Sequence, residues 1–297
     1  MTQDRLKLRA LSPNLGVEVL ACDLSKIDDR LFDQIAEAWY AHSVLLFRNQ
    51  HLDDAALIAF SRCLGALDLP PLNENGNTYV AEHPEIYVVS NVIGPDGIPI
   101  GSLGAGEAQW HTDMSYVPEP PDASMLYALE VPAAGGDTWF CNMEAAWRDL
   151  PEDLKRSVAS RSIKHDATYN SGGYLRKGLS ATDDPTRSVG AMHPMVCAHP
   201  VTQRPALYLG RRRNAYIAGL SLPDSESLLD EVWRHVARSE HCLSHRWRVG
   251  DLLLWDNRNT MHRRNSFDAA DRRVMHRTQI KGTSVPRAYL GDATFAL

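Results

Sequence analysis

Short apolar runs recur along the chain, each closed by Pro, Gly or Asp. Ser43–Arg48, Glu85–Val92, Ser124–Val131, Thr138–Asn142, Ala206–Leu209, Asp251–Trp255 and Val274–Ile280 read as strands on that basis. Other stretches carry their apolar residues at helical spacing. Asp53–Leu64 does so with Leu57, Ile58, Phe60 and Leu64. Met143–Leu150 and Glu152–Val158 read as a further pair, with Pro151 placed to start the second. Asp224–Arg238 aligns Leu228, Leu229, Val232, Trp233 and Val236 on one face, with Ser221 or Asp224 as its N-cap. The polar motifs fall among the strands, and the helices read as outer supports. This predicts a mainly β fold, a sandwich or barrel with peripheral helices, rather than a doubly wound sheet. No GxGxxG or Walker-type loop opens a helix, which argues against a Rossmann or P-loop nucleotide site.

Composition narrows this picture without changing it. The 297 residues suffice for one large domain or two small ones. With no linker, internal repeat or low-complexity tract, a single domain over residues 1–297 is the expectation. The net charge of −6 gives no general reason to expect nucleic acid or an anionic membrane as partner, so any anion binding must come from local clusters of Arg. The first residues, MTQDRLKLRALSPNLG, lack the apolar core of a signal peptide, and no later run reaches transmembrane length. Cys22, Cys63, Cys141, Cys197 and Cys242 are widely spaced, with no CxxC pair. They read as reduced thiols serving as small buried hydrophobes in a cytoplasmic protein.

Candidate chemistry begins at Gln109-Trp110-His111-Thr112-Asp113. In an extended segment residues i and i+2 project to the same side, so His111 and Asp113 can reach one ion. His262 follows the strand-like run Leu252–Trp255 and the polar turn Asp256-Asn257-Arg258. Two imidazoles and one carboxylate cover one face of an octahedral ion and leave three positions open, which suits iron(II) binding both an organic chelate and dioxygen. An isolated His-x-Asp arises easily by chance in a chain with 12 His, and its bland alternative is a hydrogen-bonded histidine.

Two further features outweigh that alternative. Arg273, in Asp271-Arg272-Arg273-Val274-Met275-His276-Arg277, lies on what reads as the return strand of a hairpin after His262. An Arg there can hold a carboxylate with two parallel bonds, which Lys does poorly. Gly135-Gly136-Asp137-Thr138 reads as a turn into a strand, with the Thr138 hydroxyl able to donate to the same carboxylate.

With these residues in view, the chain resembles the TauD/TfdA family of iron(II)- and 2-oxoglutarate-dependent dioxygenases. The resemblance runs from Ser43-Val44-Leu45-Leu46-Phe47-Arg48-Asn49-Gln50 through Ile58-Ala59-Phe60-Ser61, Trp110-His111-Thr112-Asp113 and Gly135-Gly136-Asp137-Thr138. It continues to Trp255-Asp256-Asn257-Arg258, Met261-His262-Arg263 and Arg272-Arg273-Val274-Met275-His276-Arg277. It implies a double-stranded β-helix (jelly-roll, cupin-like) core with helices around it, and no catalytic residue beyond the metal centre. By position, His111, Asp113 and His262 resemble the iron ligands, and Thr138 and Arg273 the residues that hold the distal carboxylate of 2-oxoglutarate. Arg277 resembles the arginine that meets an anionic group of the primary substrate; on a strand, 273 and 277 share a face. Asp113 argues against a halogenating variant, which has a small residue there. The family resemblance further implies a homo-oligomer, dimer or tetramer.

Departures from the taurine enzymes concern the substrate. Glu107 stands where some of them have Asn, and Leu209-Gly210-Arg211-Arg212-Arg213-Asn214 replaces an aromatic position. Glu107 is a candidate partner for a cationic group, and one of Arg211–Arg213, Arg213 foremost, for a second anion contact. The expected substrate is a small anion: a sulfonate, an aryloxy or other carboxylate, or a sulfate ester. Pro70–Thr78, Gly94–Glu107 and Thr168–Ser188 are the expected lid loops. Two rivals are a zinc hydrolase, which needs neither Arg273 nor Thr138, and a jelly-roll binding protein without catalysis.

Overall fold

In the computed structural model, which describes residues 5–73, 75–182 and 184–291, the chain opens with strands β1 (Lys7–Ala10) and β2 (Val17–Leu20). Helix α1 (Asp29–His42), strand β3 (Val44–Phe47) and helix α2 (Asp54–Leu64) follow, then β4 (Tyr87–Ser90), β5 (Ser102–Leu103) and β6 (Ala108–His111). The middle holds β7 (Ala123–Glu130), β8 (Thr138–Asn142), α3 (Met143–Arg148), α4 (Glu152–Val158), β9 (Ser162–Asp166), β10 (Gly190–Pro194), β11 (Val196–Ala198), β12 (Pro205–Leu207) and β13 (Tyr216–Ile217). Helix α5 (Leu222–Val236) leads into β14 (Cys242–His245), β15 (Leu252–Asp256), β16 (Thr260–Arg264) and β17 (Val274–Ile280).

The major sheet runs β1-β2-β3-β15-β7-β17-β4-β5, and the minor sheet β14-β8-β16-β6. From β6 to β8, and again from β14 to β17, successive strands alternate between the two sheets. That path is the double-stranded β-helix expected from the resemblance. It also corrects one detail: β17 pairs with β7 and β4, not with β16. Arg273 therefore begins a strand in the opposite sheet from His262 rather than the return arm of its hairpin. The inward alternation of Met275, Arg277 and Gln279 carries back to Arg273; the irregularity in pairing falls on β7, where Leu129 is skipped.

The central strands are buried on both faces, which is why Val44–Phe47 and Leu252–Trp255 are continuous apolar runs rather than alternating ones. Val44, Leu46, Leu126, Ala128, Leu253, Trp255 and Met275 face the minor sheet and meet Phe140 and Leu243. Leu45, Phe47, Met125, Tyr127, Leu252 and Leu254 face the other way, against Ile35 and Trp39 of α1 and Leu57, Ile58 and Phe60 of α2. A third cluster gathers α3, α4, α5, β9, β11, β12 and β13 around Ile163, Leu207, Leu229 and Val232 on the far side of the minor sheet.

Helix α1 was not anticipated from the apolar pattern, although Ile35, Ala38 and Trp39 are spaced for one buried face and Asp28 caps its first turn by accepting from Leu31 N. Of the two caps considered for α5, Ser221 is the one used, accepting from Asp224 N. All the cysteines are free thiols. Cys141 and Cys197 are buried, but Cys63 is exposed on α2, so the reading of every cysteine as a buried hydrophobe does not hold for it. Among the described residues no helix is long and apolar enough to cross a membrane.

Candidate metal centre and adjoining cavity

His111 ends β6 directly opposite His262 on β16, so strand pairing itself sets the two imidazoles side by side, with ring centres 4.2 Å apart. Asp113 follows two residues on, past the end of β6, where Thr112 N is held by the Gly210 carbonyl at 3.2 Å. Nε2 of His111 lies 3.8 Å, and Nε2 of His262 3.9 Å, from Oδ1 of Asp113. One ligand atom from each of the three falls within 4.8 Å of the others, a spacing that one ion can bridge.

Hydrogen bonds orient His111 and Asp113 toward that point, while ring packing places His262, whose buried Nδ1 has no hydrogen-bond partner among the described residues. The Nδ1–H of His111 donates to the Gln109 carbonyl at 2.7 Å, which leaves the lone pair on Nε2. The Ser124 hydroxyl donates to Asp113 Oδ2 at 2.8 Å and accepts from Asn257 Nδ2 at 3.0 Å and Gln279 Nε2 at 3.3 Å. Oδ2 is thereby engaged, and Oδ1 is turned toward the imidazoles. Trp255 and Phe140 wall His262, and Trp255 Nε1 donates to Asn257. The turn from β15 into β16 is braced by Asp256, which is fully buried and accepts from both Arg258 and His199.

The electrostatics favour ligands that are free of protons. Burial would raise the Asp113 carboxyl, but Arg277, then His262 and His111, with the Ser124 hydrogen bond, hold it well below the usual carboxylate range. Burial first, then the neighbouring His262, pushes His111 well below the ordinary imidazole range, and burial lowers His262. Neutral imidazoles and an ionised carboxylate are the forms that bind a divalent ion.

Arg273 is only 1% exposed, and its Nε and Nη1 are buried without an acceptor. Among the described residues no carboxylate pairs with it. Burial first, then the nearby Arg264, brings its guanidinium down to about 9. An uncompensated buried cation costs several kcal/mol, so this side chain fits a carboxylate brought by a ligand. Thr138, opposite Arg264 at the start of β8, accepts from Trp247 Nε1 at 2.9 Å and keeps its own proton to donate. The Gly135-Gly136 turn is glycine for a reason: both residues have left-handed φ, 76° and 69°, and a Cβ on Gly135 would stand 2.7 Å from the Ser266 carbonyl.

Arg277 donates to Asp113 Oδ1 and Gln279 Oε1, both at 3.2 Å, and lies over the Tyr87 ring. With His111, Asp113 and Gln279 it borders an open cavity of about 1270 Å³, to which residues 71–73 and 75, the 93–104 segment and the 170–177 segment contribute walls. All three expected lid segments thus reach it. His262, Thr138 and Arg273 are buried and do not border it. Glu107 is exposed, lies off the cavity and has Arg263 Nη1 at 3.5 Å. Arg213 is also exposed and off the cavity, stacked on Tyr169, whereas Arg211 of the same run is buried and borders it. The bracing residues Ser124, Asn257 and Gln279 received no role from sequence. Asn257 alone sat in a motif that pointed toward the site.

Comparisons with known proteins agree with this geometry. The model of the family described as taurine catabolism dioxygenase TauD, TfdA family, matches residues 7–279. The chain is 29% identical to an (S)-phenoxypropionate/alpha-ketoglutarate-dioxygenase of Delftia acidovorans, covering 94% of this chain and 96% of the other. It is 35% identical to an alpha-ketoglutarate-dependent 2,4-dichlorophenoxyacetate dioxygenase of Cupriavidus pinatubonensis, over 79% of this chain and 83% of the other. The crystal structure of a taurine dioxygenase from Burkholderia xenovorans superposes with a TM-score of 0.77 at 29% identity, over 95% of this chain and 93% of that one.

Proposed function

The chain belongs to the taurine catabolism dioxygenase TauD/TfdA family, and from that membership we propose that it hydroxylates a small organic anion at an iron(II) held by His111, Asp113 and His262, with 2-oxoglutarate as co-substrate. When bound, the iron and 2-oxoglutarate supply the oxidising chemistry: dioxygen and 2-oxoglutarate are consumed, succinate and carbon dioxide leave, and a substrate C–H becomes C–OH.

The protein's part is position, charge and exclusion of water. His111 and His262, neutral through burial, offer their Nε2 lone pairs, and Asp113 offers Oδ1 while Ser124 holds Oδ2. Arg273 and the Thr138 hydroxyl take the distal carboxylate of 2-oxoglutarate. Arg277 takes an anionic group of the primary substrate. No general base or covalent nucleophile is required. Where the hydroxylated carbon carries a heteroatom, as in a sulfonate, aryloxy acid or sulfate ester, the product breaks down to a carbonyl compound. A cytoplasmic homo-oligomer, dimer or tetramer, is the accompanying expectation.

The observation that carries this reading is the buried, unpartnered guanidinium of Arg273 together with the triad. A zinc hydrolase has no use for it, and a binding protein has no use for three proton-free ligands converging on one point. The test is a panel of sulfonates, aryloxy acids and sulfate esters scored by succinate formation. Turnover that needs iron(II), 2-oxoglutarate and oxygen together is expected for at least one of them; turnover of any member without oxygen would overturn the proposal.

A further inference from the structure

Arginines crowd around Tyr169 without a carboxylate to pair with. Arg211 Nη1 donates to the Tyr169 carbonyl at 2.7 Å, and Arg176 Nε donates to the same oxygen at 3.3 Å. Arg213 places its guanidinium 3.4 Å from the centre of the Tyr169 ring. No ion pair involves any of these three among the described residues. Their neighbour Arg212 differs, held at 2.6 Å by both Glu226 and Asp230 of α5, and Arg48, Arg258 and Arg272 likewise have carboxylate partners.

Arg211 is the most telling of the group. It is only 9% exposed, and among the described residues its guanidinium hydrogen-bonds to Tyr169 alone, with Nε buried without an acceptor. Asp166 acts on it only as a charge at longer range, while burial and the charge of Arg176 bring its guanidinium down to about 10. A buried planar fork with like charges beside it is stabilised by a carboxylate or sulfate that accepts two of its N–H groups.

Its location gives that anion a purpose. Arg211 and Arg176 border the same cavity as His111, Asp113 and Arg277. Gly210, one residue earlier, accepts from Thr112 N between two of the proposed metal ligands, so Arg211 is fixed beside them. The charge of Arg211 bears on His111, whereas that of Arg277 bears on Asp113 and His262. Arg277 is held at Asp113, Gln279 and the Tyr87 ring, and Arg211 at the Tyr169 carbonyl, so the two cations occupy different points on one cavity wall.

We infer that Arg211 and Arg176 form a second anion-binding subsite, and that the substrate is a small molecule with two anionic groups, one for this pair and one for Arg277. The inference rests on the oxygenase reading for its view of the cavity as the substrate site. It is tested by calorimetric titration of the iron(II)-loaded protein, under nitrogen, with phenoxyacetate and with 4-carboxyphenoxyacetate. The second carboxylate should tighten binding by about tenfold or more, the worth of one charge-assisted contact. In Arg211→Gln the ratio of the two affinities should fall to about one, and Arg176→Gln, at a half-buried position, should lower it as well. A dianion no tighter than the monoanion, no binding of either, or a ratio unchanged in both variants overturns the subsite. Running the titrations with and without 2-oxoglutarate separates the two readings. Failure of 2-oxoglutarate itself to bind the metal-loaded protein counts against the oxygenase, while the ratio reports on the subsite alone.

Discussion

In the proposed centre Ser124 occupies Oδ2 of Asp113, which leaves Oδ1 to face the ion and Arg277. The Ser124 hydroxyl gives its single proton to Asp113 Oδ2 and fills its accepting capacity with Asn257 and Gln279, so the group has one arrangement. Replacing it with Ala removes the donor and strands two buried amides, leaving the carboxylate free to turn. Ser124→Ala should weaken metal affinity about 10–100-fold, the usual scale for a lost second contact, as read by competition with a metallochromic chelator. Such roles were not legible in the sequence, because Ser124, Asn257 and Gln279 meet only through tertiary packing and share no local spacing. His111 and Asp113 were legible because two ligands two residues apart are a local pattern. Arg273 and Thr138 were legible only together with it.

Among the elements, runs with apolar residues on both faces were the clearest signal. Thr138–Asn142, Val274–Ile280 and Glu152–Val158 were read with the observed bounds, and each opens directly after a charged residue or a proline: Asp137, Arg273 and Pro151. The short strands Val196–Ala198 and Tyr216–Ile217, between α4 and α5, were not read, because two or three residues are too few to show alternation. The hairpin assigned to Arg273 failed for a related reason: a jelly-roll sends consecutive strands to opposite sheets, a fact that no single strand carries. Leu254 on β15 is fully buried between the major sheet and the helices, on the face away from the metal ligands. Leu254→Ala should therefore lower stability by about 2–5 kcal/mol in urea unfolding while leaving metal affinity unchanged.

At the scale of the whole molecule, the candidate site belongs to neither sheet alone. The minor sheet and the turn after β6 bring His111, Asp113, His262 and Thr138, while the major sheet brings Ser124, Arg277 and Gln279, with Arg273 just before β17. The stacking of the two sheets is thus what brings the proposed metal centre next to the proposed carboxylate site. That coupling is the central claim, and it is tested without knowing the primary substrate, by titrating 2-oxoglutarate calorimetrically into wild-type protein and Arg273→Ala under nitrogen, with and without iron(II). Tight binding should require the metal, and Arg273→Ala should weaken it about 100-fold, the loss of roughly 2.7 kcal/mol of charge-assisted hydrogen bonding. Equal affinity with and without metal, or an affinity untouched by Arg273→Ala, would contradict the account.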